Sequence, residues 1–168
     1  MMEKKTDWNN RSFTYMVNHI VEKHHKYFKK EMTQLSMLTT TILKVHGQDH
    51  KELLKVHRIF HIIQINLVQH MIKQETNIFP VIKYYDRRPS KELLDEIFYS
   101  IDELEAIEEE TKSMLKELRE ITNGYKAPED GCPTYDKAYK KLKDLEANIL
   151  DHNHLERDIL FSRLKNKG

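Results

Sequence analysis

Only three stretches interrupt this chain convincingly: "HGQD" after Val45, "YYDRRPS" before Lys91 and "NGYKAPEDGCPT" before Tyr135. Glycine and proline number four each in 168 residues, and the charged residues, 33% of the total, are interspersed rather than blocked. Such a chain favours long amphipathic helices over strands. The breaks delimit four segments, Ser12 to Val45, Lys51 to Tyr84, Ser90 to Thr122 and Thr134 to Leu164. Helices of that length joined by short loops predict an all-α fold, an antiparallel up-down-up-down four-helix bundle. Ser90 and Asp49 are the expected N-caps, and Pro80 is expected to kink or end the second helix. Residues 1–11 read as an N-terminal tail and 12–168 as one bundle, whose 39% apolar content suffices for a single core.

Charge excludes one class of partner. Lys and Arg total 28 against 27 Asp and Glu, so no basic footprint for nucleic acid exists at the level of the whole chain. The apolar run "IFHIIQINLV" is too short and too broken to span a bilayer, and "MMEKKTDWNNRSFTY" has no apolar core of a signal peptide. A cytoplasmic protein without membrane or nucleic-acid partners is the expectation. The single Cys132 rules out an internal disulfide.

The inner stripes carry the chemistry. At about 100° per residue, Val21, Phe28, Met32, Leu35 and Ile42 align on the first helix, with His25 and His46 in the same stripe. Val56, Ile59, Phe60, Ile63 and Leu67 align on the second, with His70 and Gln74. The third stripe has Glu108 in its middle, and the fourth holds His152 and Glu156 one turn apart. His61 and His154 fall about 180° from His70 and His152, and His57 about 140° from His70, so these three are expected at the surface. His19, His24 and His50 are candidates to support a ligand from outside its coordination shell.

One inward histidine is usually a hydrogen-bonded core residue. Four histidines and two carboxylates together are different. Each unsatisfied neutral group costs on the order of 1–3 kcal/mol and each ion several more, against the ~5–15 kcal/mol by which a domain is stable. A bound cation is the simplest compensation, and imidazole with carboxylate suits iron, manganese or zinc.

The stretches "HIVEKHHKYF", "KVHGQDHKEL", "HMIKQETNIFP", "REITNGYKAPEDGCPTY" and "DHNHLERDILF" resemble, in order, the motifs of the repair-of-iron-centres proteins, hemerythrin-like four-helix bundles with a non-haem di-iron site. The resemblance implies a bacterial protein of the nitrosative and oxidative stress response. It also implies support of iron–sulfur client proteins during cluster repair, and nitric oxide or oxygen as a small ligand. The family's cysteine-containing N-terminal domain is expected to be missing, since only about eleven residues precede the first helix. By position, the ligands fall on His25, His46, His70, His152 and Glu156.

Two positions depart from the pattern. Gln74 stands where the family has a ligand glutamate, and Glu108 where it has a histidine of the third helix. Glu75 keeps the motif's second glutamate but points about 140° from His70. The expected cofactor is non-haem iron, two ions with Glu108 ligating or bridging in place of the missing glutamate and Gln74 as a further ligand. The alternative is one ion, or another divalent metal, held by His152, Glu156 and their neighbours. No separate nucleophile or general acid stands out, which leaves enzymatic turnover open beside reversible binding, sensing of oxygen, nitric oxide or iron, or a metal-poor helical module. Cys132 reads as a loop cysteine at a helix N-terminus, a position that can lower a thiol pKa.

Overall fold

The computed structural model describes residues 6–168. Four helical rods form the bundle. The first comprises α1 (Phe13–His19), a π-helical segment π1 (Ile20–His25) and α2 (Lys26–His46). The second comprises α3 (Glu52–Lys73), π2 (Gln74–Ile78) and α4 (Phe79–Arg87). The third is the uninterrupted α5 (Lys91–Ile121), and the fourth comprises α6 (Pro133–Asn153), π3 (His154–Phe161) and α7 (Ser162–Lys165). The first rod packs between the second and the fourth, and the second also packs on the third. Among the described residues there is no strand, and no helix is long and apolar enough to cross a membrane.

Local chemistry sets the ends. Ser12 and Ser90 cap their helices through Oγ, accepting from the backbone N–H of Tyr15 at 3.0 Å and of Leu93 at 3.2 Å. Asp49 does not cap the second rod. His50 N–H already donates to His46 C=O, and Lys51 is helical, so the turn passes straight into α3 without an extended cap residue. Pro80 neither ends nor breaks its rod. It sits in the first turn of α4, just beyond π2, where a missing N–H has least consequence. Between the third and fourth rods, Asn123, Gly124 and Tyr125 are all left-handed, with φ of 55°, 73° and 64°. Tyr125 is held there by its hydroxyl on Glu146, which also accepts from Arg119 Nε at 2.8 Å.

Of the tail expected over residues 1–11, residues 1–5 lie outside the described residues. Trp8–Asn10 form a 3-10 turn, and Arg163 anchors it by donating to the carbonyls of Trp8 and Arg11, each at 2.8 Å.

The core is divided in two. One apolar cluster includes Phe28, Leu35, Phe60, Ile63, Leu115 and Leu142. The other includes Phe13, Met16, Ile20, Ile82, Ile97 and Leu160. Between them lies a buried polar belt containing His25, His70, Gln74, Glu108, His152 and Glu156. All three π segments fall at or beside this belt. Such widened turns recur at functional sites because they re-aim side chains that a regular helix would point elsewhere.

Candidate metal centre

His70 from α3, His152 from α6 and Glu156 from π3 each offer a ligand atom, and these atoms lie within 4.8 Å of one another. His152 Nε2 stands 2.8 Å from Glu156 Oε2, and His70 Nε2 stands 3.4 Å from Glu156 Oε1. Neither His70 Nε2, His152 Nε2 nor Glu156 Oε2 has a hydrogen-bond partner among the described residues. The far side of each ring sets its orientation. His152 Nδ1 faces Asn153 Oδ1 at 3.3 Å, which turns Nε2 toward Glu156. His70 Nδ1 faces Glu108 Oε1 at 3.7 Å, which turns its Nε2 the same way.

Two buried imidazole nitrogens thus converge on a carboxylate that is 99% buried. Burial by itself would raise the Glu156 carboxyl pKa. The positive charge that His152 and His70 can carry outweighs burial and holds it well below the usual carboxylate range, so Glu156 is ionised. Buried polar atoms without partners are costly, and a divalent cation at their meeting point, taking the place of ring protons, satisfies all three. The donor set fits such an ion on its own chemistry.

Gln74 and His25 sit beside this trio and are hydrogen-bonded to each other, while His25 Nδ1 is a fourth buried atom without a hydrogen-bond partner among the described residues. His25 Nε2 lies 3.0 Å from Gln74 Oε1, and Gln74 Nε2 donates to Glu156 Oε1. Burial first, and His152 second, push His25 down to about 3, so its ring is neutral and donates to the amide oxygen. Turning the amide over would set oxygen against oxygen at Glu156, so its orientation is fixed. Gln74 therefore positions Glu156 by a hydrogen bond, where a glutamate would have supplied a ligand. His25 is stacked on Phe79 at 5.8 Å, and its Nδ1 lies 3.4 Å from Glu75, which also pairs with Lys29 at 3.3 Å.

Glu108, read from the sequence as a ligating or bridging carboxylate, is engaged by a cationic side chain. Its Oε2 accepts from both Nε and Nη2 of Arg157, one residue beyond Glu156 on the widened π3 turn. Its charge is thereby compensated by a guanidinium, and it reaches the centre only by facing His70. Arg157→Ala is expected to cost about 2 kcal/mol, below the ~3–5 kcal/mol of a fully buried pair because a third of the Arg157 side chain is exposed. Thermal unfolding measures this, and adding Glu108→Gln to that variant is expected to restore part of the loss.

His46 is not brought to the centre. Lying 21 residues beyond His25 on one rod, it is displaced by roughly 31 Å at about 1.5 Å per residue, so a shared stripe does not mean a shared site. Its Nε2 contacts Cys132 Sγ at 3.2 Å, with Tyr135 and His50 nearby. This contact, with backbone N–H groups at the start of α6, brings the Cys132 thiol down to about 7. Alkylation of Cys132 is expected to rise with pH through a midpoint near 7, because the thiolate is the nucleophile. His46→Ala is expected to move that midpoint up toward the ordinary 9.0.

Sequence reasoning missed Arg157 as the partner of Glu108, Asn153 behind His152, and the π turns. A signal for the last exists. The buried positions step by five from Ile20 to His25, where an α-helix steps by three or four. His57 and His61 are half-buried, joined through Nε2 atoms at 3.1 Å, and His154 is exposed beside Asp158 at 2.7 Å.

A family model described as the hemerythrin HHE cation binding domain matches residues 16–164, which covers all four rods and every residue of the belt. The chain is 25% identical over 151 residues to the iron-sulfur cluster repair protein ScdA of Staphylococcus haemolyticus, covering 88% of this chain and 65% of that protein. It is 26% identical over 157 residues to the iron-sulfur cluster repair protein DnrN of Neisseria gonorrhoeae, covering 94% of each. With the iron-sulfur cluster repair protein YtfE of Escherichia coli it shares 23% over 157 residues, covering 94% of this chain and 68% of YtfE. The chain therefore spans about two thirds of the length of ScdA and YtfE and nearly all of DnrN. With the buried imidazole–carboxylate trio inside the matched segment, the chain belongs to the hemerythrin family of cation-binding four-helix bundles.

Proposed function

We propose that this protein holds one non-haem iron ion through His70, His152 and Glu156 and uses it in iron–sulfur cluster repair, the activity named for ScdA, DnrN and YtfE. The convergence of two buried imidazole nitrogens without hydrogen-bond partners on the Glu156 carboxylate, whose Oε2 also has none, carries this reading. Two histidines and one carboxylate with open positions are the ligand set of non-haem ferrous sites. When bound, the ion would supply one-electron chemistry and an open position for a small ligand such as nitric oxide or oxygen.

Charge favours one ion over two. Glu156 is the only carboxylate of the belt not engaged by a cationic side chain, since Glu108 is taken by Arg157. Two divalent ions would bring four positive charges into a dry core against that single negative one, and each uncompensated ion costs several kcal/mol. The residues also shape a place for a ligand. A cavity of about 20 Å³ adjoins His70 and His152 and is walled by Leu67, Ile107, Thr111 and Ile149. It has room for a water-sized or diatomic molecule.

The test is reconstitution. Iron-loaded protein is expected to restore activity to a client enzyme whose iron–sulfur cluster has been damaged by nitric oxide, faster than the same amount of free ferrous iron. Glu156→Ala is expected to show no advantage over free iron. Equal recovery with parent and variant would sink the repair reading.

A further inference from the structure

The centre is sealed on most sides, with His25, Gln74, His152 and Glu156 each at least 99% buried, so an ion needs a route. A groove of about 410 Å³ opens at the surface over His24, whose ring lies against the buried His152. Trp8, His19, Lys23, His24 and Asp151 are among the residues that line it. The rings of His19 and His24 lie 5.9 Å apart, and those of His24 and His152 lie 5.6 Å apart. Three imidazoles thus make a continuous file from the open groove to a residue of the buried trio.

The file exists because of π1. Residues five apart diverge by about 140° on an α-helix, which would send His19 and His24 to different faces. A π turn pairs i with i+5 and brings them together. The same widening lets His24 face the groove while its neighbour His25 points into the belt. His24 and His19 form no hydrogen bond with a side chain among the described residues, so their nitrogens are available to a ligand.

We propose that this groove is the transit site through which a divalent iron ion enters and leaves the buried centre, passing from His19 to His24 to His152. The proposal rests on the centre being an iron site. Asp151 adds a carboxylate to the groove while Lys23 opposes it, so the site binds weakly, as a station that must release its ion requires. Each imidazole replaces a water of the hydrated cation in turn, so the ion is never stripped in one step.

Trp8 makes the step visible. It is the only tryptophan of the chain, and its ring centroid lies 4.7 Å from that of His19. Ferrous iron added without oxygen to the metal-free full-length protein is expected to quench Trp8 fluorescence in a fast, weak phase, followed by slower uptake into chelator-resistant form. In His19→Ala/His24→Ala the fast phase is expected to vanish and uptake to slow at least tenfold, while the final iron per chain stays at the parent value. That unchanged end point shows that the variant is folded. His61→Ala, on another face, serves as control and is expected to load like the parent. Uptake by the double variant at the parent rate would overturn the proposal and place the route elsewhere. Glu156→Ala separates the two readings: it is expected to keep the fast Trp8 phase and lose only chelator-resistant iron. Should the parent itself take up no chelator-resistant iron while the fast phase persists, the centre fails as an iron site and the groove stands as a surface cation site.

Discussion

Gln74→Glu is expected to raise the iron held per chain from one to two. In the wild-type chain the Gln74 amide takes a hydrogen from His25 and gives one to Glu156, so both of its ends are engaged and neither carries charge. A carboxylate at the same place has no hydrogen to give Glu156. It would repel Glu156, keep accepting from His25 Nε2, and add the negative charge that a second cation requires. The metal-free variant should then be less stable than the parent, because two buried carboxylates in contact cannot both stay ionised without cost. The iron-loaded variant should be the more stable of the two. Opposite signs in the two states distinguish a ligand effect from a packing effect, since a packing defect would lower both. Iron analysis and thermal unfolding with and without iron read all four values.

The second large effect is that of iron itself on stability. An ion that binds only the folded chain stabilises it by about 4 kcal/mol when present at a thousand times its dissociation constant. For a domain of this size that corresponds to roughly 8–16 °C in melting temperature. Chelation is therefore expected to lower the midpoint by that amount, and Glu156→Ala to abolish the response to added iron. A metal-poor helical module, the third reading the sequence allows, gives the same melting temperature with and without chelator.

Much of this was legible in the sequence, and the exceptions have physical causes. Breaks rich in glycine, proline and serine located the rods to within a few residues, because little else in the chain can end a helix. That His70, His152 and Glu156 face the interior was legible because polar side chains in an apolar stripe are costly and therefore informative. His46 was assigned to the site on its angle and on the family resemblance; angle repeats every few turns while distance along the rod accumulates. Glu108 was placed in the interior, and its pairing with Arg157 was not foreseen. Its Arg157 sits on π3, where a regular helical wheel no longer gives the true direction of a side chain. The same local widening hid the alignment of His19 with His24.

The central claim, a single ion on two histidines and one glutamate, is tested most directly by the iron content of wild-type protein expressed with ample iron and purified without oxygen. The account requires close to one iron per chain, lost in Glu156→Ala. A content close to two, or no retained iron at all, would contradict it.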